Sequence, residues 1–142
     1  MKKRILFLCT HNSARSQMAE GFLRGLYGGR YEVWSAGTEP SAVHPLAVRA
    51  MAEAGFDISG QTSKSVDLFV GEHFNHVITL CDAAAETCPY FPHADLISHR
   101  GFEDPAAAAG TEEERLASFR RIRDEIRAWV EETFGLPAGR AD

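Results

Sequence analysis

Four short apolar runs punctuate this chain, and segments of a different period lie between them. The first, residues 4–8 (Arg-Ile-Leu-Phe-Leu), is apolar at nearly every position, as expected of a strand covered on both faces. Residues 32–36 read as a second short strand closed by Gly37, residues 76–80 as the clearest later one, and residues 94–97 as a fourth. The intervening segments repeat at helical spacing instead. Met18, Phe22 and Leu26, with Ala19 and Leu23 beside them, form one helical stripe that begins near Ala14. Gly28 and Gly29, both free to take positive φ, end it. Pro45 opens another helix, with Leu46, Val48, Ala50, Met51 and Ala54 apolar and Gly55 as its stop. Residues 56–65 are polar and irregular. In the last helix Thr111 and Glu114 fit a capping box, Leu116, Phe119, Ile122, Ile126, Trp129/Val130 and Phe134 follow, and Gly135 and Pro137 close it.

Strands alternating with helices predict βαβ units. The fold class is therefore α/β: an open, mainly parallel four-stranded sheet with helices on both faces. Such sheets bind ligands beyond the C-terminal ends of their strands, at a topological switch point. Cys9 and Cys81 both fall at C-terminal strand ends, so both belong on that rim.

Composition changes this picture little. A chain of 142 residues with 44% hydrophobic and 25% charged positions can bury a substantial core. A net charge of −5 argues against nucleic acid as a partner, though it leaves room for one positive pocket. Met1-Lys2-Lys3-Arg4 resembles the charged end of a secretory signal, but the apolar run behind it is shorter than the ~7–15 residues a signal needs. No run approaches the ~18 needed to span a membrane, so the expected location is cytoplasmic, with no membrane partner. Three cysteines, Cys9, Cys81 and Cys88, cannot all pair within one chain and in a reducing compartment suggest chemistry or packing. The tryptophans and most phenylalanines read as core, and Arg120, Arg121, Arg123 and Arg127 as a solvated helix face paired with nearby Glu and Asp.

The candidate chemistry centres on Cys9-Thr10-His11-Asn12-Ser13-Ala14-Arg15-Ser16. A nucleophile, five residues and a fixed cation at a strand-to-helix turn are laid out as an oxyanion cradle. Backbone N–H groups in such a turn point inward, and the helix N-terminus adds positive potential. Arg15 offers a planar fork to a tetrahedral oxyanion, and the same field favours a thiolate at Cys9. Ser13 and Ser16 are placed to donate to that thiolate. Alternatively, Cys9 merely finishes a core strand as a small apolar residue. The preceding strand, following helix and small or hydroxyl residues between favour the cradle. A zinc site is disfavoured: Cys81 and Cys88 are wide apart for a ligand knuckle and the six histidines are scattered, so the reading assigns no metal and no cofactor.

Cys9-x5-Arg15-Ser16 with Gln17-Met18-Ala19-Glu20-Gly21 resembles the low-molecular-weight tyrosine phosphatase superfamily, and within it the thioredoxin-coupled arsenate reductases. Ser35-Ala36-Gly37, Asp57-Ile58-Ser59, Thr79-Leu80-Cys81-Asp82, Thr87-Cys88-Pro89 and Gly101-Phe102-Glu103-Asp104-Pro105 carry the resemblance across nearly the whole chain. Length and the stop after the last helix give a single domain over residues 1–137, with 138–142 as a loose tail. The resemblance makes that domain catalytic, with Thr10, His11, Asn12, Ser13, Ala14, Arg15 and Ser16 binding an arsenate- or phosphate-like oxyanion. An aspartate before proline is often only a turn former. The resemblance makes Asp104 the general acid. The phosphatases carry tyrosine where Ala106 stands, and no accessory thiol sits at Ala14 as in some relatives.

The resemblance further implies that Cys9 attacks arsenate, Cys81 attacks Cys9 to release arsenite, and Cys88 attacks Cys81 to leave a disulfide for thioredoxin. Asp82-Ala83-Ala84-Ala85-Glu86 reads as a capped, alanine-rich helical turn. A helix would hold Cys81 and Cys88 ~10 Å apart at 1.5 Å per residue, whereas a disulfide needs Cα atoms within ~7 Å. The segment is thus expected to be helical when reduced and to unwind when oxidised. Some relatives bind potassium through residues matching Asn12, Glu20, Ser35 and an acid. Here Lys64 takes the acid's place, and its ammonium would substitute for the cation while Asn12 braces the loop. Two rival functions stand beside reduction: a low-molecular-weight protein tyrosine phosphatase, and a non-catalytic oxyanion-binding or thiol redox-sensing module. A monomer suffices for all three.

Overall fold

The first apolar run becomes the central strand. In the computed structural model, which describes residues 2–135, β1 (Lys3–Cys9) pairs in parallel with β2 (Tyr31–Gly37) on one side and β3 (Phe74–Thr79) on the other. β4 (Ala94–His99) adds a fourth parallel strand, giving the order β2-β1-β3-β4. The chain passes from β1 to one neighbour and later returns to the other, so the order reverses at β1. The crevice beyond the ends of β1 and β3 is the switch point. The register aligns Cys9 with Gly37 and Leu8 with Thr79, which sets both predicted rim cysteines at the same end of the sheet.

Alternation along β1 divides the core in two. Ile5 and Phe7 face α1 (Arg15–Tyr27) and α4 (Glu112–Phe134), with α2 (Pro45–Glu53) packed against α4. Leu116, Phe119, Ile122, Ile126, Val130 and Phe134 of α4 are all buried there. Each such side chain contributes about 1.5–3 kcal/mol of burial. Leu6, Leu8 and Val77 face the thinner layer, covered by Val66 and Phe69 around a 3-10 turn (Val66–Leu68) and by Phe91. α3 (Asp82–Thr87) lies against β1 and β3 on the rim.

The predicted elements recur with small shifts: β3 starts at Phe74 and ends at Thr79, one residue short of Leu80, and β4 runs on to His99. The capping box is present, Thr111 Oγ1 accepting from Glu114 N–H and Glu114 Oε1 from Thr111 N–H. The end of α1 differs from expectation. Gly28 stays right-handed at φ −59°, and the turn closes instead through Arg30 N–H to Tyr27 O. Gly55 does take positive φ, at 92°. The α4 arginines pair with nearby carboxylates as expected, Arg121 with Glu103 and Glu125 and Arg127 with Glu131. Arg120 grips Glu53 of α2 with two bonds of 2.8 Å, and Arg123 tucks inward to donate to Ala50 O. Arg127 lies over the Phe22 and Phe56 rings. Pro137 and the tail expected at 138–142 lie outside the described residues. Among those described, no helix is long and apolar enough to cross a membrane.

Candidate active site

Between Cys9 and Arg15 the chain must reverse from strand to helix. It does so with Asn12 at φ 50°, a left-handed conformation that asparagine tolerates better than most residues. The loop rests directly on Gly37, where a Cβ would lie 2.5 Å from Thr10 O and 2.9 Å from Asn12 N. Its carbonyls are spoken for: Thr10 O accepts from Glu39 N–H, His11 O from Ser41 N–H and the Ser63 hydroxyl, and Ser13 O from His44 N–H. Asn12 O accepts from Gln17 Nε2 at 2.9 Å. Among the described residues, the backbone N–H groups of 11–16 meet no protein acceptor, and Ala14 supplies no side-chain cap to α1. Donors left open at a helix N-terminus suit a tetrahedral anion.

Cys9 is buried, and its Sγ lies 2.9 Å from Ser16 Oγ. Asn12 Nδ2 donates to that same Ser16 oxygen at 2.7 Å, which leaves the Ser16 proton free for sulfur. Asn12 Nδ2 also donates to Ser35 Oγ at 2.9 Å, and Ser35 in turn donates to Glu20 Oε1. The Asn12 carbonyl oxygen accepts from Lys64 N–H at 2.8 Å. Asn12 therefore braces the loop through hydroxyls and a neighbouring segment. Ser13 contributes its carbonyl, and no bond from its hydroxyl to Cys9 is present among the described residues.

Arg15 is buried, and Nη1 donates to Phe102 O at 3.1 Å. Asp104 faces it, with Oδ2 3.7 Å from Arg15 Nη2 while Oδ1 accepts from Ala106 N–H. Two histidines beside the loop were not separable by sequence. His11 turns outward, its Nδ1 donating to Glu39 O at 2.9 Å. His44 accepts from Leu46 N–H as the cap of α2 and packs on the Phe119 ring. Burial pushes its pKa below the ordinary histidine value, Arg115 adds to this, and Asp104 opposes it. The one sequence sign of that cap was Pro45 after it.

Cys81 packs with Cys9 and Ala84 in a buried cluster, its Sγ 3.3 Å from Thr10 Oγ1. Cys88 is half-buried and donates to Pro89 O, and burial raises its thiol pKa. All three thiols are free. Cys81 immediately precedes α3 and Cys88 immediately follows it, so the expected helix does separate them. The expected cap does not form, because Asp82 is the first helical residue and its carboxylate points to His99 instead.

Protein donors already occupy the Glu20 carboxylate. That carboxylate takes Ser35 on one oxygen and Arg24 at 2.6 Å on the other. Lys64 Nζ stands 3.9 Å away and bonds to Thr62 O, its pKa lowered by burial first and by Arg24, with Glu20 opposing. Arg24 is a partner the sequence reading missed, although its i,i+4 spacing from Glu20 was visible. Among the described residues, no group of three or more His, Cys, Asp or Glu side chains gathers to hold a metal.

Comparison with known proteins gives a consistent result. Residues 4–135 match the family model for low molecular weight phosphotyrosine protein phosphatase. The arsenate reductase of Bacillus licheniformis is 53% identical over 125 residues, covering 88% of this chain and 90% of that one. A solved arsenate reductase in the phosphate-binding state superposes with a TM-score of 0.79 at 38% identity, covering 92% of this chain and 95% of that one. An arsenate reductase in its oxidised state gives 0.79 at 37% identity, with the same coverage.

Proposed function

The chain belongs to the low molecular weight phosphotyrosine protein phosphatase family and is an arsenate reductase of that fold, and we propose that it works through a relay of Cys9, Cys81 and Cys88 reset by thioredoxin. The observation that carries this reading is the packing of Cys81 against Cys9 at the sheet rim, with Cys88 one helix away. A phosphatase needs one thiol, because water completes its cycle. Reduction of arsenic(V) to arsenic(III) needs two electrons, and here two further sulfurs stand behind the nucleophile.

In this scheme the open amides of residues 11–16 and Arg15 bind arsenate. Cys9 attacks arsenic, and Asp104 protonates the oxygen that leaves as water. Cys81 then attacks Cys9 sulfur, the S–As electron pair stays on arsenic, arsenite departs, and a Cys9–Cys81 disulfide remains. Cys88 attacks Cys81 sulfur and frees Cys9 as thiolate. Thioredoxin reduces the Cys81–Cys88 disulfide. The free thiols suit a reducing cytoplasm, and each step can run within one protomer.

The test is NADPH oxidation with thioredoxin, thioredoxin reductase and this protein. Oxidation should require arsenate, and glutathione with glutaredoxin should not substitute. Arsenate-independent oxidation, or none, overturns thioredoxin coupling. The Glu20 site gives a separate expectation: replacing sodium by potassium should change neither melting temperature nor turnover, since Arg24 and Lys64 already supply the positive charge. A potassium-specific gain in either would show that the ammonium does not stand in for the ion.

A further inference from the structure

Asp82 spends its carboxylate in an unusual direction. An acidic residue in the first turn of a helix ordinarily serves the helix dipole and the free N–H groups around it. Here Asp82 Oδ1 accepts from His99 Nε2 at 3.0 Å, across to the last residue of β4. Because a carboxylate only accepts, Nε2 carries a proton whatever the charge of the ring. The other ring nitrogen, Nδ1, is 2.8 Å from Thr79 Oγ1, and Thr79 is buried at the end of β3. One imidazole thus ties the residue after Cys81 to the sheet on which Cys81 is mounted.

The surroundings fit such a tie. Gly101 leaves room for it: a Cβ there would lie 3.2 Å from His99 Nε2 and 3.4 Å from Asp82 Oδ1. The strand end and the following loop are fixed to the same rim, Arg100 N–H donating to Thr79 O and Phe102 N–H to Leu80 O. Phe102 O holds Arg15. The imidazole therefore sits where the relay segment, the sheet end and the loop that seats the oxyanion-binding arginine converge.

We propose that His99 is a positioning residue of the relay: its bond to Asp82 latches the start of α3 in the wound, dithiol form and is released when that helix unwinds to let Cys88 reach Cys81. This inference rests on the relay reading above. Its direction follows from linkage, since a contact present only in the dithiol form favours that form over the Cys81–Cys88 disulfide. Removing the latch moves the equilibrium toward the disulfide. An exposed, charge-assisted bond whose donor ring is held by a buried hydroxyl supports about a fivefold change, or about 20 mV for a two-electron couple.

The experiment equilibrates the full chain in glutathione redox buffers and quantifies the Cys81–Cys88 disulfide by mass spectrometry. His99→Asn keeps a polar atom near the Nδ1 position and loses the one facing Asp82. His99→Gln keeps a donor near the Nε2 position. The disulfide should be favoured about fivefold in His99→Asn, with His99→Gln staying near the parent. Asp82→Ala should shift the same way, and the double variant Asp82→Ala with His99→Asn should shift no further than the larger single change. An unshifted His99→Asn, the reverse order of Asn and Gln, or additive shifts in the double variant overturn the latch. If the parent chain forms no Cys81–Cys88 disulfide at any buffer ratio, the relay reading itself falls and the latch with it, a result distinguishable from the others.

Discussion

Cys81→Ser should yield no arsenite, Cys88→Ser one equivalent per protein molecule, and the parent chain continuous turnover. These are the sharpest differences the proposed relay makes, because each thiol leaves the reaction at a different covalent state. Without Cys81 the arsenic remains on Cys9. Without Cys88 one arsenite is released and the chain stops as a Cys9–Cys81 disulfide, which mass spectrometry would detect directly. Both variants should still bind phosphate and hydrolyse an aryl phosphate slowly, since the cradle amides, Arg15, Ser16 and Asp104 are untouched. Cys9→Ser should lose both activities. Serine at 81 is a mild change for the fold, because its hydroxyl can keep the contact with Thr10 Oγ1 that Sγ makes at 3.3 Å. Continuous arsenite production by Cys81→Ser, or loss of phosphate binding in either variant, would count against the assignment.

Asp104→Asn should lower kcat by about 10²–10⁴-fold, the usual worth of a positioned general acid, with little change in phosphate affinity. The separation of the two effects rests on geometry. Arg15 is anchored by Phe102 O at 3.1 Å, independently of Asp104, whose nearer oxygen is 3.7 Å from Nη2. Asparagine can also keep the bond that Oδ1 accepts from Ala106 N–H, so the loop should hold its shape. Aryl phosphates are the informative substrates. An aryl oxide that is stable as an anion leaves without a proton, whereas a basic one needs it. The loss in Asp104→Asn should therefore grow with the basicity of the leaving group. An equal loss across the series, or a loss confined to KM, would remove the acid role.

Much of this architecture could be read before any coordinates, for identifiable reasons. The run at 5–8 is buried on both faces and shows no alternation to confuse it with a half-exposed strand. The α4 stripe keeps one face inward from Leu116 to Phe134. β4 gave the weakest signal because it is an edge strand with Leu96 and Ile97 exposed, so neither a continuous nor an alternating pattern governs it. Cys9 and Arg15 were legible because strand, turn and helix fix their relation through local spacing. What spacing could not supply were contacts between distant segments: Lys64 beside Glu20, His44 over Phe119, Phe102 O behind Arg15, and His99 on Asp82. The arginines of α4 were legible as a face paired with carboxylates, but the inward turn of Arg123 to Ala50 O of α2 was not, because that partner lies on a distant segment.

The half-burial of Cys88 has a consequence for how the protein behaves between turnovers. In electrical terms it would make the proposed relay a rectifier. With its thiol pKa raised and its Sγ turned to Pro89 O, the third sulfur is a poor donor of electrons while α3 is wound. Under the proposed coupling, reducing equivalents from thioredoxin would be stored on this chain without draining through an idle disulfide. In the proposed scheme the circuit conducts only after arsenic has already been released at the other end.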